Sequence, residues 1–209
     1  MKVSHPVLAL LLLVLGLLPA AADQRELFSA LKQGGYVLVF RHVATDDSQK
    51  DVYPFRFDDM TAQRQLSDKG REMARQMGAA IKKLEIPIGV VYTSRLNRAV
   101  ETGKLLSGQD VKPVDGLTDS SAASTSGMAN PSGANAKAGL ALRQLLDASP
   151  KAGTNTMLVT HKTNIADAFG KDAADVQEGE AFVYKSAASG AATLVARVKA
   201  EEWLAQANN

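Results

Sequence analysis

The sequence contains no cysteine among its 209 residues. This excludes a disulfide framework, a lipoprotein anchor on cysteine, and any zinc or iron–sulfur site built on thiolates. The formal net charge is also small, +2 at pH 7. With so little excess charge and no dense cluster of lysine and arginine, a nucleic-acid partner is not expected. The fold must therefore be stabilised by a hydrophobic core, for which apolar residues at 45% of the chain suffice.

The first 22 residues have the pattern of a secretory signal peptide. One lysine precedes a leucine-rich apolar run, Pro19 lies near its end, and three alanines follow at 20–22. Such small residues suit a signal peptidase, so we expect cleavage after Ala22, a mature domain at 23–209, and a periplasmic or secreted protein. The alternative is a retained membrane anchor, but the apolar run is shorter than the roughly 20 residues that span a bilayer. We expect no stable membrane insertion after cleavage.

Strands and helices alternate along the rest of the chain. Short apolar runs rich in β-branched residues predict strands; they lie at 36–40, 88–92, 156–160, 181–185 and 193–198. Amphipathic periodicities predict helices between them; these lie near 25–32, after Ser67 as N-cap until Pro87, at 95–106 after a cap at Thr93 or Ser94, at 136–148, and just beyond His161. This alternation predicts a three-layer α/β/α sandwich with a mostly parallel central sheet.

Two segments lack a sustained periodicity. The polar stretch at 43–65 predicts a long loop of the kind that active sites often use. The stretch at 118–137 is rich in serine, alanine, glycine and asparagine, which predicts a surface excursion.

Residues suited to phosphate chemistry follow three of the predicted strands. Arg41 and His42 follow the first strand, Arg98 lies on the helix after the second, and His161 follows the third. Open α/β sheets bind ligands at the carboxyl ends of their strands, so these side chains are expected to converge. Apart from His5 in the predicted signal peptide, His42 and His161 are the only histidines of the chain.

These residues and their surroundings resemble the histidine phosphatase superfamily, also called phosphoglycerate-mutase-like. The resemblance rests on the Arg41-His42 pair after a strand, LSDKGREMA from Leu66, TSRLNRAVET from Thr93, and Thr160-His161 after the third strand. It implies that His42 attacks phosphorus and becomes a phosphohistidine, while Arg41, Arg98 and His161 surround the phosphoryl oxygens. A neutral imidazole and planar guanidinium groups suit these roles, and neither a metal nor another cofactor is then expected.

The sequence departs from the family pattern at two positions. Val43 stands where a glycine usually follows the Arg-His pair, and Lys162 stands where one branch has an acidic residue after the histidine. The leaving-group oxygen still needs a proton donor. Asp119 is the first candidate, because Leu117-Thr118-Asp119 resembles a leucine-x-glutamate context in another branch; the other candidates are Glu180, Asp46 and Asp47.

Arg64 and Lys162 are further candidates for binding the substrate, and the alternative for each is a solvated surface position. A phosphatase acting on a small phosphorylated substrate is favoured over a mutase, because the segment between Arg98 and His161 is short and an exported protein would meet little glycolytic substrate. Envelope phospho-sugars, such as lipopolysaccharide core heptose, are one substrate class that the resemblance suggests. A protein phosphohistidine phosphatase and a non-catalytic binder of phosphorylated ligands remain the alternatives, and the oligomeric state is not predicted.

Overall fold

A computed structural model of the chain describes residues 20–119, 135–187 and 190–209. The predicted signal peptide lies outside these residues except for its last three positions, which begin the first helix, and most of the predicted surface excursion also lies outside them. Within the described residues, no helix has the length and apolar character needed to cross a membrane.

The described residues form six α-helices and six strands. The helices are α1 (Ala20–Gln33), α2 (Asp68–Lys83), α3 (Asn97–Ser107), α4 (Ala136–Asp147), α5 (Lys162–Phe169) and α6 (Ala200–Asn208). The strands are β1 (Tyr36–Arg41), β2 (Ile88–Thr93), β3 (Lys112–Pro113), β4 (Asn155–Thr160), β5 (Ala181–Lys185) and β6 (Thr193–Val198).

All six strands belong to one sheet, in the order β3-β2-β4-β1-β5-β6. The first four of these run parallel to one another, whereas β5 and β6 form an antiparallel pair at one edge. Helices connect the parallel strands, because parallel neighbours need a crossover connection. The predicted mostly parallel sheet is therefore confirmed.

The core has two halves, one on each face of the sheet. Leu38 and Phe40 of β1 pack with α1, α2, α3 and α6, while Val37 and Val39 pack with α4 and α5. This alternation follows from the period of two along a strand. The central strand is thus buried on both faces, and the three-layer sandwich is confirmed.

Helix α6 is not predicted from the sequence. It is only nine residues long, and two of these, Ala200 and Trp203, are buried, so its apolar face leaves a weak periodic signal. Trp203 is fully buried, and its ring centroid lies 5.1 Å from that of Phe28 and 5.7 Å from that of Phe40.

The predicted cap of α3 is wrong, whereas that of α2 is confirmed. Ser67 accepts a hydrogen bond from the amide of Gly70 at 3.0 Å, as an N-cap does. Helix α3 begins later than expected, at Asn97, and its N-cap residue makes no side-chain cap bond. The backbone amide of Asn97 donates instead to Gln63 Oε1, at 2.8 Å, because the long loop folds over the start of the helix.

Gly70 allows the first turn of α2 to pack against the backbone beside His42. A Cβ atom at this position would lie 2.1 Å from the carbonyl oxygen of Ala44, far inside van der Waals contact. The close approach fixes the chain just after β1, where His42 is located.

The variant Gly70→Ala tests this packing by whether the free energy of unfolding rises or falls. In an unconstrained helix, alanine in place of glycine increases stability by about 1 kcal/mol. Here we expect the free energy of unfolding to decrease, because the new methyl group displaces Ala44. Chemical denaturation measures the change, with Lys69→Ala at the exposed neighbouring position as the control. A stabilised Gly70→Ala variant would contradict the account.

Candidate active site

His42 and His161 lie side by side at the carboxyl edge of the sheet. Strands β1 and β4 are parallel neighbours with Arg41 opposite Thr160, so both histidines follow the same end of adjacent strands. The amide of His42 donates to the carbonyl of Thr160 at 3.1 Å, which continues the pairing by one residue. The two imidazole centroids are 5.2 Å apart, and both rings are buried.

The backbone of the next residue orients the His42 ring. His42 Nδ1 lies 2.8 Å from the carbonyl oxygen of Val43, which can only accept, so Nδ1 carries the proton and Nε2 carries the lone pair. Burial lowers the pKa of His42 well below 6.5, and the charges of His161 and Arg98 lower it further. His42 is therefore neutral at pH 7, with a nucleophilic nitrogen.

Ser94, rather than a carboxylate, holds the His161 ring. Ser94 Oγ lies 2.8 Å from His161 Nε2, and because a hydroxyl can donate or accept, it suits either protonation state of the ring. His161 Nδ1 lies 3.8 Å from Asp119 Oδ2. Burial lowers the pKa of His161, Asp119 opposes this effect, and neighbouring arginines add to it.

Arg98 carries a fully buried positive charge between two carboxylates. Its Nη1 donates to Asp51 Oδ1 at 2.9 Å, and its Nη2 donates to Asp119 Oδ2 at 3.1 Å. Asp119 Oδ1 also accepts from the hydroxyl of Thr163, at 2.8 Å. Asp119 therefore joins α3 to α5 and lies beside both Arg98 and His161.

Arg41 and Arg64 add two further cations. Arg41 Nη1 donates to the carbonyl of Val176 at 2.8 Å, and its Nη2 pairs with Glu178 at 3.2 Å. Burial lowers the pKa of Arg41, an effect that Glu178 opposes and Arg64 increases. The backbone amide of Arg64 donates to Asp51 Oδ1, the oxygen that also accepts from Arg98. The Arg64 side chain is half-buried, and its charge contributes to the lowered pKa of His161.

The three other candidate proton donors lie in different surroundings. Glu180 is buried, but its oxygens accept from Arg197 Nε at 2.7 Å and from the amide of Gln177 at 2.7 Å. Hydrogen bonds from Ser48 lower the pKa of Asp46, which favours the charged form that cannot donate. Asp47 is exposed. Of the four carboxyl groups, only Asp119 pairs with Arg98.

The side chain of Lys162 is exposed, whereas that of Val43 is buried. Lys162 begins α5 directly after His161, but its side chain is exposed, so its contact with a substrate stays a prediction. The Val43 side chain is buried in the core beside α2, and its carbonyl faces His42. The Val43 side chain therefore contributes to the core.

Asp51 and Ser94 are site residues that sequence reasoning missed. Asp51 lies in the long loop and contacts Arg98 across 47 positions of the chain. No motif surrounds it, and nothing in the sequence distinguishes it from nearby Asp46 and Asp47. Ser94 has a local signal in the sequence, but that signal predicts a helix cap.

Several buried nitrogen atoms around the histidines lack hydrogen-bond partners within the described residues. They are the Nε atoms of Arg41, Arg64 and Arg98, together with Nδ1 of His161. Buried polar groups are normally paired, so such a group of unpaired nitrogens fits a site whose ligand supplies the acceptors. An anion with several oxygens meets this need. Within the same described part of the chain, no cluster of acidic or histidine side chains has an arrangement that would hold a metal ion.

Residues 37–150 match the family model of the histidine phosphatase superfamily (branch 1). This protein belongs to that superfamily. The matched region includes His42, Arg98 and Asp119 but ends before His161, whose place in the site follows from the pairing of β1 with β4.

Solved structures of phosphatases share the fold at low sequence identity. A mycobacterial glucosyl-3-phosphoglycerate phosphatase with inorganic phosphate is 18% identical, with a TM-score of 0.53 over 80% of this chain and 99% of its own. A phosphoserine phosphatase variant from Entamoeba histolytica with phosphoserine is 15% identical, with a TM-score of 0.53 over 80% and 98%. The protein histidine phosphatase SixA with tungstate is 16% identical, with a TM-score of 0.50 over 79% and 97%. No curated protein matches the sequence.

The lowered pKa of His42 predicts a pH dependence of stability. Below about pH 6.5, the unfolded chain binds a proton that the folded protein does not, so the free energy of unfolding decreases as the pH falls. The slope from one such group is at most about 1.4 kcal/mol per pH unit. In His42→Gln this contribution is absent, so its stability falls less steeply than that of the wild type between pH 7 and 5. Urea denaturation without phosphate measures both slopes, and equal slopes would contradict a neutral buried His42.

Proposed function

We propose that this protein hydrolyses a phosphate monoester through a phosphohistidine on His42. The observation that carries the proposal is the group of unpaired buried nitrogen atoms around a neutral imidazole. A phosphate dianion supplies the missing acceptors. Preplaced charge of this kind is worth roughly 3 kcal/mol per donor in a site that excludes water.

In the first step, His42 Nε2 attacks phosphorus. The phosphorus–nitrogen bond forms as the bond to the leaving oxygen breaks, and that oxygen takes a proton to leave as an alcohol. The developing charge on the phosphoryl oxygens is held by Arg41, Arg98 and His161, which becomes protonated beside the dianion. The carbonyl of Val43 stabilises the cationic ring that forms on His42.

Asp119 is the proton donor in this proposal. It contacts Arg98 and lies close to His161, whereas Glu180 is occupied by Arg197. In the free protein, Asp119 accepts hydrogen bonds on both oxygens. A bound dianion adds negative charge beside it and favours its protonated form. In the second step, water attacks phosphorus and gives its proton to Asp119, the phosphorus–nitrogen bond breaks, and inorganic phosphate leaves.

The proposed substrate is a small phosphorylated molecule, with envelope phospho-sugars as the first class to test. Among the proteins with this fold, one acts on glucosyl-3-phosphoglycerate and another on phosphoserine, which supports a small substrate. SixA is a protein histidine phosphatase, so a phosphohistidine substrate is compared with them in the same assay. The proposed chemistry has no step that requires a metal, and activity is expected to persist in a chelator.

Two esters separate the proposed nucleophile from the proposed acid. An aryl phosphate has a leaving group that needs little protonation, whereas an alkyl phosphate needs an acid. We expect His42→Ala to lower kcat/KM on both esters by a thousandfold or more, roughly the loss seen when a nucleophile is removed. Asp119→Asn is expected to lower it by about 10²- to 10⁴-fold on the alkyl ester and far less on the aryl ester.

The matched control is Asp115→Asn, an exposed aspartate just before Asp119 that pairs with Arg95 at the surface. Equal losses on both esters in Asp119→Asn would remove this residue as the donor. A wild-type protein that binds phosphate but hydrolyses neither ester nor phosphohistidine would instead be a binder of phosphorylated ligands.

We also propose that the protein is exported and cleaved after Ala22, on the evidence of its apolar N-terminal run and the alanines that end it. The test is expression in a Gram-negative host, followed by fractionation and intact-mass analysis. We expect a periplasmic chain whose mass corresponds to residues 23–209. A chain of full mass in the cytoplasm would contradict export, and a full-length chain in the membrane fraction would indicate a retained anchor.

A further inference from the structure

We propose that Asp51 is a positioning residue that sets the distance between two arginines of the phosphate pocket. The proposal deepens the function proposed above and rests on it. Neither the family resemblance nor a local motif marks Asp51, and its position in the fold is what distinguishes it from its acidic neighbours in the loop.

One oxygen atom of Asp51 makes both contacts. Asp51 Oδ1 accepts from Arg98 Nη1 at 2.9 Å and from the backbone amide of Arg64 at 2.9 Å. It therefore holds Arg98 by its guanidinium group and Arg64 by its main chain. Arg98 comes from a helix and Arg64 from the long loop, and the shared acceptor joins these two elements.

Both arginines present an unpaired nitrogen at the site. Within the described residues, Arg98 Nε and Arg64 Nε are buried without hydrogen-bond partners, and both charges act on His161. If these nitrogens bind oxygens of one phosphoryl group, their separation must match the size of that group. Asp51 Oδ1 binds both the Arg98 guanidinium group and the Arg64 main chain, so the position of this oxygen affects the separation of the two nitrogens.

Neighbouring residues of the loop make further hydrogen bonds near Asp51. The backbone amide of Gln65 donates to Gln49 Oε1 at 3.0 Å. Gln63 Oε1 accepts from the backbone amide of Asn97 at the start of α3. Asp51 is the member of this network that reaches a fully buried charge, since Arg98 has no exposed surface. Loss of its acceptor would leave part of a buried cation unpaired, which favours rearrangement of the guanidinium group.

Two substitutions separate position from charge. Asp51→Asn keeps an acceptor oxygen at the same distance but removes the charge, whereas Asp51→Glu keeps the charge but moves the oxygen by one methylene. A positioning role predicts that Asp51→Asn retains kcat/KM on the aryl ester within about fivefold. It predicts a loss of roughly a hundredfold in Asp51→Glu, the scale expected for misplacement by about 1 Å.

Inorganic phosphate provides a second readout that needs no turnover. By calorimetry, Asp51→Asn should bind phosphate as tightly as the wild type or more tightly, while Asp51→Glu binds it at least tenfold more weakly. With Arg64→Ala as background, the effect of Asp51→Glu on phosphate affinity should shrink, because one of the two positioned arginines is then missing. Asp58→Ala, at an exposed position in the same loop, is the control and should match the wild type.

The outcomes separate this inference from the proposed function. A larger loss in Asp51→Asn than in Asp51→Glu would overturn the positioning role in favour of a role for charge. A loss confined to the alkyl ester would overturn it in favour of proton donation, and strictly additive effects of the two substitutions would overturn the link to Arg64. If the wild type hydrolyses nothing but the phosphate affinities follow the predicted order, the positioning role stands and the proposed catalysis fails.

Discussion

The buried charge of Arg98 is the constraint on which the rest of the site depends. A guanidinium group with no exposed surface must be paired, and here two aspartates from distant parts of the chain pair with it. These contacts bring together the long loop, helix α3 and the segment that leads to Asp119. In the proposed mechanism, a ligand anion enters a site in which the two aspartates already hold Arg98 in place.

The sheet supplies the second half of the site. Because β1 and β4 are adjacent and parallel, two histidines that are far apart in sequence come within 5.2 Å of each other. Burial and neighbouring cations lower the pKa of both rings, so the same environment that attracts an anion keeps His42 unprotonated. In the proposed mechanism, attraction of the substrate and activation of the nucleophile thus have a common physical origin.

The features that depend on local pattern could be predicted from the sequence. Strands β5 and β6 have the predicted bounds, and the convergence of His42 with His161 follows from a general property of parallel sheets. Contacts that depend on the path of a loop could not be predicted. Asp51 reaches Arg98 only because the loop folds back over α3, and Asp46, with the same side chain, bonds to Ser48 within its own turn.

The roles of Ser94 and Glu180 also could not be predicted from the sequence. Each has a residue type that suits several roles, and the choice depends on which neighbour the fold brings close. Ser94 binds the His161 ring where a helix cap was expected, and Glu180 pairs with Arg197 where a proton donor was one possibility. Sequence pattern predicted that the two histidines and Arg98 lie together, while the assignment of individual partners required the three-dimensional arrangement.

The central claim is that His42 Nε2 forms a covalent bond to phosphorus. The most direct measurement is mass spectrometry of peptides from protein quenched in alkali during turnover of an aryl phosphate. The account predicts one phosphoryl group on the peptide that contains His42, present during turnover and absent once the substrate is exhausted. Turnover with the phosphoryl group on another residue, or with His42 unmodified at every time point, would contradict it.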